Sequence, residues 1–158
     1  MAYDARSVAN SVLQIAQGAG RTLTNMQLQK LVYIAHGYAL AILHKPLIKQ
    51  NVEAWRYGPV IADLYHALRE YGAGKVTNPI NMLPNEELSE THLALLSEVV
   101  SAYGGFSGPQ LSTMTHRHGT PWKEIYDPAG WGNSIIPDPL IEQHYIKLLN
   151  ERAGISPP

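Results

Sequence analysis

Thr24-Asn25-Met26-Gln27-Leu28-Gln29-Lys30-Leu31-Val32-Tyr33-Ile34-Ala35-His36-Gly37-Tyr38-Ala39-Leu40-Ala41-Ile42 is the stretch whose reading decides the fold. Thr24 is a favourable N-cap, and Leu28, Leu31, Val32, Ala35, Ala39 and Ile42 fall at i, i+3, i+4, i+7, i+11 and i+14, along one side of a helix. Met26, Tyr33, Tyr38 and Leu40 lie off that stripe, so more than one side of the helix is expected to meet protein. The spacing predicts a long central helix.

Shorter helices are predicted on either side. Asp4 can cap one that runs to about Gln17, with Val8, Val12, Ile15 and Ala16 at helical spacing and Gly18-Ala19-Gly20 to end it. After the long helix, Pro46 biases Lys45 towards an extended conformation, and Val52-Glu53-Ala54-Trp55-Arg56-Tyr57 alternates as a short strand does. Gly58-Pro59 reads as a turn, with Pro59 opening a helix from Val60 to Tyr71. Lys75 to Leu88 holds Pro79, Pro84 and three asparagines and reads as a long surface loop. Ser89 caps a helix that reaches Tyr103, Ser107 one that reaches about Thr115, and Asp138-Pro139 opens a last one carrying Leu140, Ile141, Tyr145, Leu148 and Leu149. The expectation is a mainly α, compact single-domain helical fold with a minor β element near residues 52–57, covering residues 1–153, and a loose tail over 154–158.

Bulk properties narrow the function classes. A chain of 158 residues with 45% hydrophobic and 16% charged side chains is built to bury one core. Twelve basic against 13 acidic residues give a net charge of −1, so no overall field attracts nucleic acid or an anionic membrane. Neither a leader-like start nor an apolar run of about 18 residues is present, which leads to the expectation of a cytoplasmic protein. The chain has no cysteine, so disulfides and thiolate chemistry are excluded.

Catalytic patterns are missing. Among seven histidines, His116-Arg117-His118 is the tightest group, but it follows a predicted helix and no nearby cysteine or carboxylate completes a zinc site. His36 and His66 sit among apolar neighbours, where a packed histidine is the ordinary outcome. No nucleophile elbow, glycine-rich phosphate loop or Asp-x-Asp metal pattern occurs. An enzyme, a metal and a cofactor are therefore not expected. A helix-turn-helix is disfavoured because Gly18 to Thr24 exceeds the turn of about three or four residues that motif uses, and Lys30 is the second helix's cation.

Two aromatic clusters stand out. Glu53-Ala54-Trp55-Arg56-Tyr57-Gly58-Pro59-Val60 and Pro121-Trp122-Lys123-Glu124-Ile125-Tyr126 hold the residue types that anchor protein interfaces, and the same residues also serve as core packing. Trp131, between glycines, is a further aromatic of this kind.

Leu23 to Gly37, then Lys45-Pro46-Leu47, then Glu53 to Val60 with Leu64-Tyr65, and later Leu111-Ser112, Thr115-His116, Pro121-Trp122 and Ile135-Ile136-Pro137 together resemble the Panacea antitoxin domain, a SocA-like or phage-associated GepA-like family. The resemblance implies an antitoxin that neutralises, by direct contact, a toxin encoded by a neighbouring gene, in some members by delivering it to the ClpXP protease. It implies prophage or mobile-element settings and no catalysis by the antitoxin. Leu28, Lys30, Leu31, Tyr33, Pro46, Leu47, Gly58, Pro59, Thr115 and His116 match the family's structural signature. Trp55, Arg56, Tyr57, Trp122 and Trp131 are the expected partner contacts, and a homo-oligomer is compatible with the reading. The alternative from another class is a DNA-binding regulator of a prophage or mobile-element operon.

Overall fold

The computed structural model describes residues 2–130 and 134–152, so Trp131 and the 154–158 tail lie outside the described residues. The chain forms α1 (Ala5–Gly18), α2 (Asn25–Leu43), β1 (Val52–Trp55), β2 (Gly58–Val60), α3 (Ala62–Leu68), α4 (Glu90–Tyr103), α5 (Gly108–His116), α6 (Pro121–Ile125), β3 (Ser134–Ile136) and α7 (Asp138–Arg152). The architecture is mainly α with one small sheet. None of the described helices is long and apolar enough to cross a membrane.

A complete capping box starts α2. Thr24 Oγ1 accepts from the Gln27 N–H at 3.2 Å, and Gln27 Oε1 accepts from the Thr24 N–H at 2.8 Å. His44, in the left-handed conformation at φ 58°, ends it. Fourteen of its nineteen residues are buried, which exceeds what a single apolar stripe would bury, and α1, α4, α5 and α7 pack around it. Tyr33 and Tyr38, off the stripe, are covered because Tyr145 of α7 sets its ring edge-on against both, at 6.1 and 4.8 Å. Ile42, on the stripe, is 48% exposed where the last turn emerges.

Four polar side chains of α2, those of Asn25, Lys30, His36 and Tyr38, are satisfied by distant segments, whereas the buried Tyr33 hydroxyl makes no hydrogen bond to the described residues. Asn25 donates to the carbonyls of Leu68 and Gly72 at 3.0 Å each. His36 accepts at Nδ1 from the Leu47 N–H at 3.3 Å, which leaves its proton on Nε2, 2.9 Å from the Asp138 carboxylate. Tyr38 and Tyr103 share a hydroxyl bond at 2.5 Å.

The sheet runs β2-β1-β3, antiparallel throughout, with Ala54 opposite Pro59 and Val52 opposite Ile136. Here the helix expected from Pro59 is corrected. Pro59 lies in the edge strand β2, where proline's missing N–H is tolerated, the turn is Arg56-Tyr57, and α3 waits until Ala62. The extended element of 52–57 is thus half of a hairpin. Two further elements, α6 and β3, have short-range signals only: Thr120 caps with Pro121 in the first turn, and Ser134–Ile136 is too short to show alternation.

The Lys75 to Leu88 loop is irregular but tied to α1. Asn10 Oδ1 accepts from the Ile80 N–H at 2.7 Å, Ser7 Oγ accepts from the Glu86 N–H at 3.0 Å, and Val76 and Leu88 are buried.

Gly37 sits in the middle of α2, where a Cβ would come within 2.2 Å of the Tyr145 ring. Glycine to alanine inside a helix ordinarily gains up to about 1 kcal/mol. Gly37→Ala is expected instead to lose about 1–3 kcal/mol of stability in urea denaturation, the usual range for overpacking; unchanged or raised stability would contradict the seating of α7 on α2.

Candidate partner-binding groove

Alternate carbonyls of the β1–β2 hairpin are each gripped by a side chain from a different helix. Trp55 O accepts from Trp122 Nε1 of α6 at 2.5 Å, Tyr57 O from Ser112 Oγ of α5 at 2.7 Å, and Pro59 O from Lys30 Nζ of α2 at 2.8 Å. Trp122 is itself held, stacked on Tyr126 at 4.6 Å and edge-on to His116 at 5.2 Å. Trp122, expected among the partner contacts, is only 6% exposed, so it braces the hairpin from behind. Thr115 is buried and donates back to the Leu111 carbonyl at 2.9 Å, while His116 Nδ1 bonds the Ser112 carbonyl.

Gly58 completes the clamp. Its φ of 124° disfavours any side chain, and a Cβ there would stand 2.8 Å from Lys30 Nζ. Pro46 is exposed, and Leu47 is fully buried and bonded to His36.

The tip held by this clamp faces a groove of about 750 Å³. One side is made by the first turns of α2 and α5, which approach so closely that a Cβ on Gly108 would meet Met26 Cβ at 2.9 Å. The other side is made by Trp55, Tyr57 and Val60 of the hairpin and Tyr65 of α3. Trp55 and Tyr65 pack 4.9 Å apart, and the Trp55 indole N–H donates to Glu53 at 3.1 Å. Arg56 is exposed and lies over the Tyr57 ring at 5.4 Å, while Tyr57 itself is 66% exposed. Of the expected contacts, the structure gathers Trp55, Arg56 and Tyr57 on this groove and sets Trp122 behind it.

Several groove residues were not singled out from sequence as contacts: Met26, Tyr65, Pro109 and Lys30. Met26 offered one signal, a large apolar residue two positions after an N-cap and off the helix stripe. The Lys75 to Leu88 loop lines a separate crevice of about 590 Å³ beside α1. No group of three or more His, Asp or Glu placed to hold a metal ion occurs among the described residues. The helix-turn-helix alternative loses its reading helix, because α2 is buried on most of its surface and has no face to lay in a DNA groove.

Lys30 is only 4% exposed, and burial pulls its ammonium down from 10.5 to about 7. In the unfolded chain the same group keeps its proton to about pH 10.4. The folded protein therefore binds fewer protons than the unfolded chain between those values. The cost of burying the charge is present in full below about pH 7 and fades as the pH rises towards 10. Relative to Lys30→Met, the native protein is expected to gain unfolding free energy from pH 7 to pH 9.5 in urea titrations, and a pH-independent difference would contradict this burial.

The family described as "Antitoxin SocA-like, Panacea domain" matches residues 28–123, a span that takes in Lys30, the hairpin, α5 and Trp122, hence every member of the carbonyl clamp. The curated protein Antitoxin SocA of Caulobacter vibrioides is 31% identical over 138 residues, covering 80% of this chain and 72% of that protein. No solved structure matches the chain. On a family match across more than half its length and a relative of that identity and coverage, this chain belongs to the SocA-like Panacea-domain antitoxins.

Proposed function

We propose that this protein neutralises the toxin encoded by a neighbouring gene through direct binding, without catalysis, and that the groove beside the β1–β2 hairpin is where the toxin docks. The observation that carries the reading is an open groove walled by aromatic side chains on a rigidly held tip, in a chain of an antitoxin family. Exposed aromatics and arginine on a preorganised surface supply binding energy with little ordering cost, because the clamp has already fixed the backbone that presents them. Residues 1–153 act as one unit in this reading, in the cytoplasm, where the toxin is made. Occlusion by binding accounts for neutralisation; delivery to a ClpXP-type protease is an addition that would show as a shorter toxin half-life in the antitoxin's presence.

Expression of the adjacent gene alone is expected to arrest growth, and co-expression of this chain to restore it; a harmless neighbour would remove the reading. Arg56→Ala and Tyr57→Ala, both at exposed positions, are expected to weaken rescue and toxin pull-down while changing stability by no more than about 0.5 kcal/mol. Full rescue by both variants would place the toxin contact elsewhere on the surface.

A further inference from the structure

The groove has largely apolar walls with a buried cation among its lining residues. Lys30 is among its lining residues, and an ammonium carries three N–H donors, of which one is used, on Pro59 O at 2.8 Å. Among the described residues no carboxylate lies within ion-pair distance of it, and no aspartate or glutamate lines the groove. Buried charges in proteins are ordinarily paired, so a lysine this enclosed with one neutral acceptor is an incomplete site. Its surroundings add to the same sign. The first turns of α2 and α5 both open on the groove, where helix ends favour anions, and Arg56 stands at the rim.

We propose that the groove receives a segment of the partner toxin in which an aspartate or glutamate stands beside a large aromatic side chain, the carboxylate accepting from Lys30 Nζ. The aromatic ring lies against Trp55, Tyr57 and Tyr65, the apolar wall opposite the two helix ends. This rests on the antitoxin reading of the groove. A carboxylate fits better than a phosphate, whose further charged oxygens would be left against Val60, Met26 and Pro109 without donors. Nucleic acid is disfavoured for the same reason.

Two probes of one shape separate the charge from the ring: N-acetyl-tryptophan, which has a carboxylate, and N-acetyl-tryptophan amide, which does not. In a titration followed by amide shifts, the acid is expected to bind about tenfold tighter, the share of one charge-assisted hydrogen bond, with shifts at Lys30, Tyr57 and Gly108. In Lys30→Met the two probes are expected to bind alike. Equal affinity of the two for the native protein, or shifts away from the groove, overturns the proposal and requires no variant to fold. In the growth assay, Lys30→Met is expected to weaken toxin binding at least about tenfold. Undiminished neutralisation by that variant overturns the carboxylate site while leaving the antitoxin reading standing. A native protein that gives no protection removes the antitoxin reading, and the two probes still decide the carboxylate.

Discussion

A helix buried over most of its surface has to satisfy its polar side chains inside the protein, and in α2 four of them reach different segments. Asn25 holds the end of α3, Lys30 holds β2, His36 holds the stretch after Pro46 together with the start of α7, and Tyr38 holds α4. Leaving any of these groups unmet in a dry interior would cost about 1–3 kcal/mol, and more for the lysine. Hydrophobic burial gathers the helices around α2 but is indifferent to direction. The four polar attachments fix which segment lies against which turn.

The hairpin shows how far this logic extends towards the surface. Three of its carbonyls are taken by side chains from α2, α5 and α6, and the donors include the most recognisable residues of the chain, Lys30 and Trp122. Arg56 and Tyr57, lying between the gripped positions, are exposed. The gripping residues thus hold the backbone, and the side chains of Arg56 and Tyr57 are presented without being needed to hold it. A surface built this way separates the work of folding from the work of contact.

Much of the helical plan was legible because caps and apolar spacing are local. Asp4, Thr24, Ser89 and Ser107 each stand at an observed helix start, and glycines follow α1 and α4. The hairpin was only half legible. Pro59 after a glycine carries the same local signature whether it opens a helix or occupies an edge strand, and the deciding partner, Lys30, lies 29 residues away. The groove was legible as a cluster, Trp55-Arg56-Tyr57, but not as a cavity, since its other wall comes from Met26 and Pro109, which meet the hairpin only in three dimensions. Trp122 was ambiguous for the same reason: an indole that reaches a backbone carbonyl 67 positions distant looks, in sequence, like one that waits for a partner.

The sheet order has a consequence for the order of synthesis. β1 is paired on one side with β2, a few residues later, and on the other with β3 at Ser134–Ile136, while α2 is closed off by α7 through Asp138 and Tyr145. Contacts of this sequence separation form late, because the intervening chain must be ordered first. At a ribosome adding about 5–20 residues per second, the groove side of the hairpin is made seconds before the strand and helix that steady it. A binding-competent fold therefore belongs to a chain that has been made through α7, and nascent chains truncated before β3 would lack the steadied docking surface.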